Sequence, residues 1–441
     1  MADLILKGGT LVNHDGVGAR DLAIHEGRIA GVGDLSDFSA AETLDCRGLH
    51  ILPGVIDSQV HLREPGHEHK EDLESGGRAA VMGGVTSVFE MPNTKPLTVT
   101  KAALADKVRR ATNRMYCDFA FYMGGTRENV NQLAEFEKLP GCAGIKVFMG
   151  SSTGELLVED DEGVARILAQ TNRRAAFHSE DEYRLRQRLS EQVAGNPASH
   201  PIWRDAEAAR LCTERLVRIA RKQRKRIHVL HVSTTEEMPL LAANKDVATV
   251  EVTPHHLTLS SDDYARLGTL LQMNPPVRSM EHQRAIWQAL QSGIVDVLGS
   301  DHAPHTLEEK IKPYPDSPSG MPGVQTLVPV MLDHVNKGRL SIERFVDLTS
   351  HGPARIFGIS RKGRIAEGYD ADLTIVDLKK KRVIENKWIE SKCAWTPYDG
   401  YEVTGWVQGT FVRGRKVMWD DQILGKSWGQ PVKFMEALPA L

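Results

Sequence analysis

Residues able to bind metal or carry protons recur in this chain at the ends of short apolar runs. Gln59-Val60-His61-Leu62-Arg63 closes one run and Met91-Pro92-Asn93-Thr94 the next. Lys146 lies within Gly144-Ile145-Lys146-Val147-Phe148-Met149, and His178 ends a further run. Then come His228-Val229-Leu230-His231, His255-His256 and Asp301-His302-Ala303-Pro304-His305. Taken singly, each has an ordinary structural explanation. A strand-end histidine is usually a satisfied structural group, Asn93 after proline suits a turn, and Asp301 suits a cap. A whole series of them on one rim points instead to a metal-assisted hydrolase, whose chemistry needs imidazole and carboxylate together.

Lys146 has two readings. It could snorkel to a rim or pair with Asp301. Alternatively, burial beside metal cations would lower its pKa, and the neutral amine could take up carbon dioxide. The resulting carbamate is an anion with two oxygens that can bridge two metals.

The elements that must position these groups alternate. Apolar runs at Val55–Val60, Val85–Met91, Asp118–Met123, Gly144–Met149, Ala175–His178, Ile227–Val232, Ala248–Thr253 and Val295–Gly299 are separated mostly by amphipathic segments. One such segment is Asp205–Lys222, where Leu211, Leu216 and Ile219 can share a face. Eight β-runs with helical spacers predict an α/β fold, a (β/α)8 barrel over residues 53–360, whose active site lies at the C-terminal ends of the strands. The chain ends read as β. Leu4–Val12 is interrupted by Gly8-Gly9, Asp21–Ile29 reads as a hairpin, and Ala371–Asp377 and Gly409–Val417 are short strands. Neither end holds enough strands for a core. Residues 1–52 and 361–441 are therefore expected to combine into one small β-sandwich.

The 441 residues are 41% hydrophobic and 26% charged, which suits a globular chain, and the formal net charge of −3 gives no sign of a nucleic-acid or membrane partner. The basic run Arg221–Arg226 reads as a solvated helix end. Five scattered cysteines without a CxxC suit a reducing compartment. No signal peptide or 18-residue apolar stretch is present, so a cytoplasmic location is expected.

These motifs resemble the amidohydrolase superfamily, and within it the dihydroorotases with a carboxylated lysine. The resemblance is carried by Pro53-Gly54-Val55-Ile56-Asp57, His61-Leu62-Arg63-Glu64-Pro65-Gly66, Glu90-Met91-Pro92-Asn93-Thr94, Gly144-Ile145-Lys146-Val147-Phe148 and His228-Val229-Leu230-His231-Val232-Ser233-Thr234. It continues through Glu251-Val252-Thr253-Pro254-His255-His256, Met273-Asn274-Pro275-Pro276-Val277-Arg278 and Gly299-Ser300-Asp301-His302-Ala303-Pro304-His305. It implies that His61 belongs to one metal site, that carboxylated Lys146 bridges, and that His178 and His231 hold a second metal. It makes Asp301 both metal ligand and proton shuttle. It assigns the substrate carboxylate to Arg63, Asn93 and His305, places Asn274 near the ring, and leaves His228, His255, His256 and His302 in supporting roles. The expected cofactor is Zn2+, one or two per chain. The expected reaction interconverts N-carbamoyl-L-aspartate and (S)-dihydroorotate in pyrimidine biosynthesis, and a homo-oligomer acting on a small molecule is expected.

Two positions depart from the family pattern. Gln59 stands where the family has the first histidine of His-x-His, and glutamine is a much poorer zinc ligand than imidazole. Gln325 stands where glutamate is expected. Two other functions stay open: an allantoinase or hydantoinase, since these share most of the motifs, and an inactive scaffold, for which Gln59 is the sole support. Residues 306–319, Pro-rich and charged, are a candidate lid.

Overall fold

The computed structural model describes residues 2–36, 38–150 and 154–435. The expected outer domain limits, Met1 and Leu441, lie outside the described residues.

Eight parallel strands form the central barrel: Val55–Val60, Val85–Glu90, Asp118–Gly124, Cys142–Phe148, Ala175–His178, Ile227–Val229, Ala248–Val252 and Val297–Leu298. They are hydrogen-bonded in chain order. The first and last edges meet through a parallel bridge from Val60 to His302, supported by His61 N donating to His302 O at 2.7 Å. The eighth strand is the shortest, because the chain turns into the site immediately after Leu298.

Local sequence explains the helices between the strands. Leu73–Met82 is opened by an Asp72 and Ser75 capping box. Ala206–Gln223 is capped by Asp205 and ends at Arg224 in the left-handed region. Leu216 and Ile219 on this helix are buried as the period requires, whereas Leu211 is only half-buried. Arg221, in the basic run, donates to the exposed Asp246 carboxylate at 2.8 Å.

The two chain ends share one seven-stranded sheet. Its order is Gln422–Ile423, Arg415–Trp419, Glu402–Val412, Leu373–Val383, His50–Pro53, Thr10–Asn13, Gly16–Ala19. A four-stranded sheet of Arg28–Gly33, Asp21–His25, Ala2–Lys7 and Ala40–Asp45 faces it. Leu4, Leu6, Leu22 and Ile24 meet Ile51, Leu373, Ile375 and Phe411 between the two sheets. The chain changes sheet at Gly8-Gly9, where Gly8 has φ +72°, so the glycine pair ends one strand and starts another.

The C-terminal part also packs on the barrel at both of its ends. Pro431 bridges to Phe119 at the bottom, and the indole of Trp395 donates to His305 O at 2.8 Å at the top.

Candidate active site

All the candidate residues from the sequence line one cavity of about 460 Å³ at the C-terminal ends of the strands. Gln59, His61, Arg63, Asn93, Lys146, His178, His231, Asn274, Asp301 and His305 are all present, and Lys70, His200, Arg204 and Gln272 join them. Among the four supporting histidines, His228 donates to or accepts from Thr249 Oγ1 at 2.9 Å, and His256 Nε2 donates to Pro275 O at 3.2 Å below Asn274. His302 Nδ1 accepts from Gly323 N at 3.0 Å.

Two ligand pairs stand out. His178 Nδ1 and His231 Nε2 face each other at 3.0 Å. His178 Nε2 donates to Glu180 Oε2 at 2.8 Å, which fixes that tautomer and leaves Nδ1 as a lone pair. Burial works to raise the Glu180 carboxyl, but Arg204 and His178 outweigh it and hold it far below the usual range. Glu180 was missed in the sequence. Its signal was a carboxylate two residues after a strand-end histidine.

The second pair is His61 and Asp301. His61 Nδ1 donates to Asn93 Oδ1 at 2.8 Å, so Nε2 presents a lone pair 3.3 Å from Asp301 Oδ1. Gln59 meets the same oxygen with its amide nitrogen, donating at 3.0 Å, while its own Oε1 has no partner among the described residues. Burial, then Glu251, push Asp301 up to about 8. Asp57 Oδ1 accepts from Ser300 N at 3.0 Å and from Gln59 N at 3.2 Å, tying both sides of this pair to one buried carboxylate.

Lys146 lies between the pairs electrostatically, because its charge depresses His61, His178 and His231 alike. Burial pulls its ammonium down to about 7. Nζ has no hydrogen-bond partner among the described residues and sits 4.3 Å from the Phe148 ring centroid.

These observations test a metal site. Among the described residues no three His, Cys, Asp or Glu side chains gather as a ready-made ligand set. The His178–His231 pair needs a third donor, and the unpartnered Lys146 amine supplies one once it is carboxylated. That side fits a divalent cation. The His61–Asp301 side fits it less well, because the Gln59 amide offers Asp301 a donor rather than a lone pair.

The carboxylate-binding candidates form a separate edge. Arg63 Nε donates to Pro304 O at 3.0 Å, and Nη2 lies 3.1 Å from His305 Nε2. Lys70 Nζ donates to His305 Nδ1 at 3.1 Å. An ammonium can only donate, so His305 carries its proton on Nε2 and gives it to Ser319 O at 3.1 Å. Burial, Arg63 and Lys70 hold His305 far below the usual histidine range, so it stays neutral. Arg63, though lowered to about 10 by burial, stays charged. The charged Arg63 guanidinium, with the Lys70 ammonium behind His305, makes this edge of the cavity positive, as an anion site requires. Asn274 Oδ1 accepts from His200 Nε2 at 2.8 Å, which leaves its amide nitrogen free to serve the cavity.

Arg63, His231 and Asp301 have φ of +65°, +38° and +48°. Three site residues in the left-handed region mark a rim whose side chains are aimed at some backbone cost.

Residues 306–319 border the cavity through Pro315, Ser317, Pro318 and Ser319. Thr306 caps a short helix, Leu307–Lys310, and Tyr314 is buried. Gln325 bridges the barrel to the C-terminal segment, donating to Trp388 O at 2.6 Å and accepting from Glu390 N at 2.9 Å.

Fold and site together define a barrel hydrolase: a model of the amidohydrolase family matches residues 50–167 and 212–417, and the chain belongs to that family. It is 38% identical to a dihydroorotase of Halobacterium salinarum, over 94% of this chain and 96% of that protein. A dihydroorotase of Pyrococcus abyssi is 39% identical over 88% of each. Among solved structures, an L-hydantoinase (dihydropyrimidinase) from Arthrobacter aurescens superposes with a TM-score of 0.94 at 31% identity, over 98% of this chain and all of that one. The chain is thus an enzyme of the cyclic-amide-hydrolase group, whose relatives by sequence are dihydroorotases.

Proposed function

We propose that the chain interconverts N-carbamoyl-L-aspartate and (S)-dihydroorotate, a step of pyrimidine biosynthesis. The observation that carries this reading is the positive edge formed by Arg63 and Lys70 around the neutral His305 ring. It is built for an anion, and dihydroorotate bears a ring carboxylate that plain hydantoins lack.

Arg63 grips that carboxylate with its remaining guanidinium edge, in parallel charged bonds. The Asn93 amide nitrogen completes the grip, the neutral His305 ring lines it, and the Asn274 amide faces the ring. Zn2+ would be the cation, and carboxylated Lys146, His178 and His231 would hold it, with His61 and Asp301 on the weaker side. When bound, such an ion lowers the pKa of water from about 15.7 to about 7 and polarises the amide carbonyl. Asp301 is the proton carrier. It takes a proton from the attacking water and delivers it to the leaving ring nitrogen, serving as base and then as acid. In the ring-closing direction the same carboxyl works in reverse. Ring opening adds a carboxylate and releases a proton at neutral pH, so acid favours the ring.

A cytosolic homo-oligomer completes the proposal. The five buried free thiols agree with a reducing compartment, and no described helix is long and apolar enough to cross a membrane. The test is a substrate panel on zinc-loaded protein: N-carbamoyl-aspartate, dihydroorotate, allantoin and hydantoin. Preference for the first two supports the proposal. Equal turnover of uncharged hydantoins moves the assignment to the hydantoinases. No turnover by metal-replete protein favours the scaffold reading.

A further inference from the structure

Lys310 ends the helix Leu307–Lys310, is fully buried, and has no task in the reaction described above. Burial, with Arg63 nearby, holds its amine far below the usual lysine range. Its partners are two main-chain carbonyls, Pro318 O at 2.8 Å and Gln272 O at 3.1 Å. Gln272 O also accepts from Gly320 N at 2.9 Å. The Gln272 side chain closes the bracket. Nε2 donates to Ser317 O at 3.0 Å and Ser319 Oγ at 3.2 Å, and Oε1 accepts from Ser317 Oγ at 2.6 Å.

Residues 311–320 contain no regular element. Besides buried Tyr314, whose carbonyl accepts from Gly195 N at 2.7 Å, the segment depends on such bonds, and losing them loosens it first. Burying a lysine is costly unless its donors are used. Here they fix a wall directly behind His305. Ser319 O takes the His305 Nε2 proton at 3.1 Å, and the wall approaches so closely that a Cβ on Gly320 would lie 2.5 Å from Ala303 O and 3.0 Å from His305 Cδ2. Gln272 also stands two residues before Asn274, so the same bracket borders the ring side of the cavity.

We propose that Lys310 is a positioning residue: by joining the Gln272 and Pro318 carbonyls it holds Ser319, sets the His305 ring beside Arg63, and so tunes the grip on the substrate's ring carboxylate. The role of that carboxylate rests on the function proposed above.

Lys310→Met keeps the apolar stem and deletes the donors. With zinc-loaded protein, KM for N-carbamoyl-aspartate should rise about tenfold while kcat stays within about threefold, the pattern of lost uniform binding. Hydrogen exchange should accelerate in residues 311–320 and not in the barrel strands. Ser317→Ala, a milder cut at the same bracket, should move KM the same way by about two- to threefold, and it stands in if Lys310→Met does not fold. Unchanged KM with unchanged exchange overturns the proposal. So does a fall in kcat at constant KM, or faster exchange spread over the whole barrel, which marks a purely structural lysine. If wild-type protein does not turn over N-carbamoyl-aspartate, the proposed reaction fails by itself. The exchange rates and the His305 tautomer, read by nitrogen NMR in Lys310→Met, then decide the bracket: local loosening with a changed tautomer supports it, and no change in either sinks it.

Discussion

Replacing Arg63 by methionine removes the guanidinium and leaves the apolar stem. Arg63 lies on the cavity wall beside His305, with its Nε bonded to Pro304 O at 3.0 Å. A hydrogen bond to a charged group is worth about 1.5–3 kcal/mol, and cutting one side of a buried charged pair costs about 2–5 kcal/mol. Two parallel bonds to a carboxylate therefore predict a loss of about 3–5 kcal/mol. At 1.4 kcal/mol per decade this is about two to three and a half orders of magnitude in kcat/KM. Lys70, 3.1 Å from His305 Nδ1, still supplies positive charge behind the site, which favours the lower end. The assay is the initial rate of ring closure from N-carbamoyl-aspartate, with zinc content measured on the same samples. Metal content should be unchanged, because Arg63 belongs to the anion edge and not to either ligand pair. Hydrolysis of an uncharged cyclic amide, if measurable, should fall far less. A loss below about fivefold at constant metal content would refute the reasoning, since a desolvated carboxylate cannot lose its main cation so cheaply.

Lys146→Ala should abolish tight zinc binding and activity, and short carboxylic acids should restore part of both. Carbon-13 NMR of labelled carbamate on the wild type is the direct check, and a plain ammonium in a loaded, active enzyme would count against it. Gln59→His should raise zinc content per chain toward two and increase turnover, and two tightly held ions in the wild type would contradict the weak-site reading. Burial holds His334 down at about 4 against 6.5 for a free imidazole, so its stabilising effect is complete above pH 6.5 and is lost as pH falls toward 4. The slope is about 1.4 kcal/mol per pH unit from this one group. His334→Gln should flatten the dependence of unfolding free energy on pH across that window, and an unchanged slope would exclude His334 as its source.

Much of the barrel was legible because its strands are buried apolar runs bounded by polar ends. Val55–Val60 and Ala175–His178 matched to the residue, and errors grew where runs continued past the last ladder bond. Ile227–Val232 shrank to Ile227–Val229 because Leu230 and His231 already turn into the site, with His231 at φ +38°. Short-range reading also failed for contacts made across the chain. The Trp395 indole on His305 O comes from 90 residues away, and Arg204 on Glu180 joins two loops with no motif between them. Nothing in the sequence marks Lys310, and only the fold shows that it is enclosed.

Gln59 shows where residue type and geometry separate. From type alone it is a weakened ligand that can still offer a neutral oxygen. In the structure its nitrogen, not its oxygen, meets Asp301, and the unpartnered atom is Oε1. An amide can be turned by half a rotation, so the choice is energetic. A buried carboxylate takes a donor when no cation is present, and the same group repelled by Glu251 rises to about 8. A cation at His61 and Asp301 would compete with that bond, and turning the amide to present oxygen would forfeit it. Histidine at this position has no such conflict, because a neutral ring presents its lone pair to the metal while the other nitrogen donates elsewhere. By the proposed assignment, Gln59 would therefore disfavour a cation at His61 and Asp301 twice, as a poorer ligand than imidazole and as a donor already bonded to Asp301. The pair His178–His231 escapes both effects, since Glu180 already orients one ring from behind. Under that proposal a cation would sit first at His178 and His231, with carboxylated Lys146 as its third ligand.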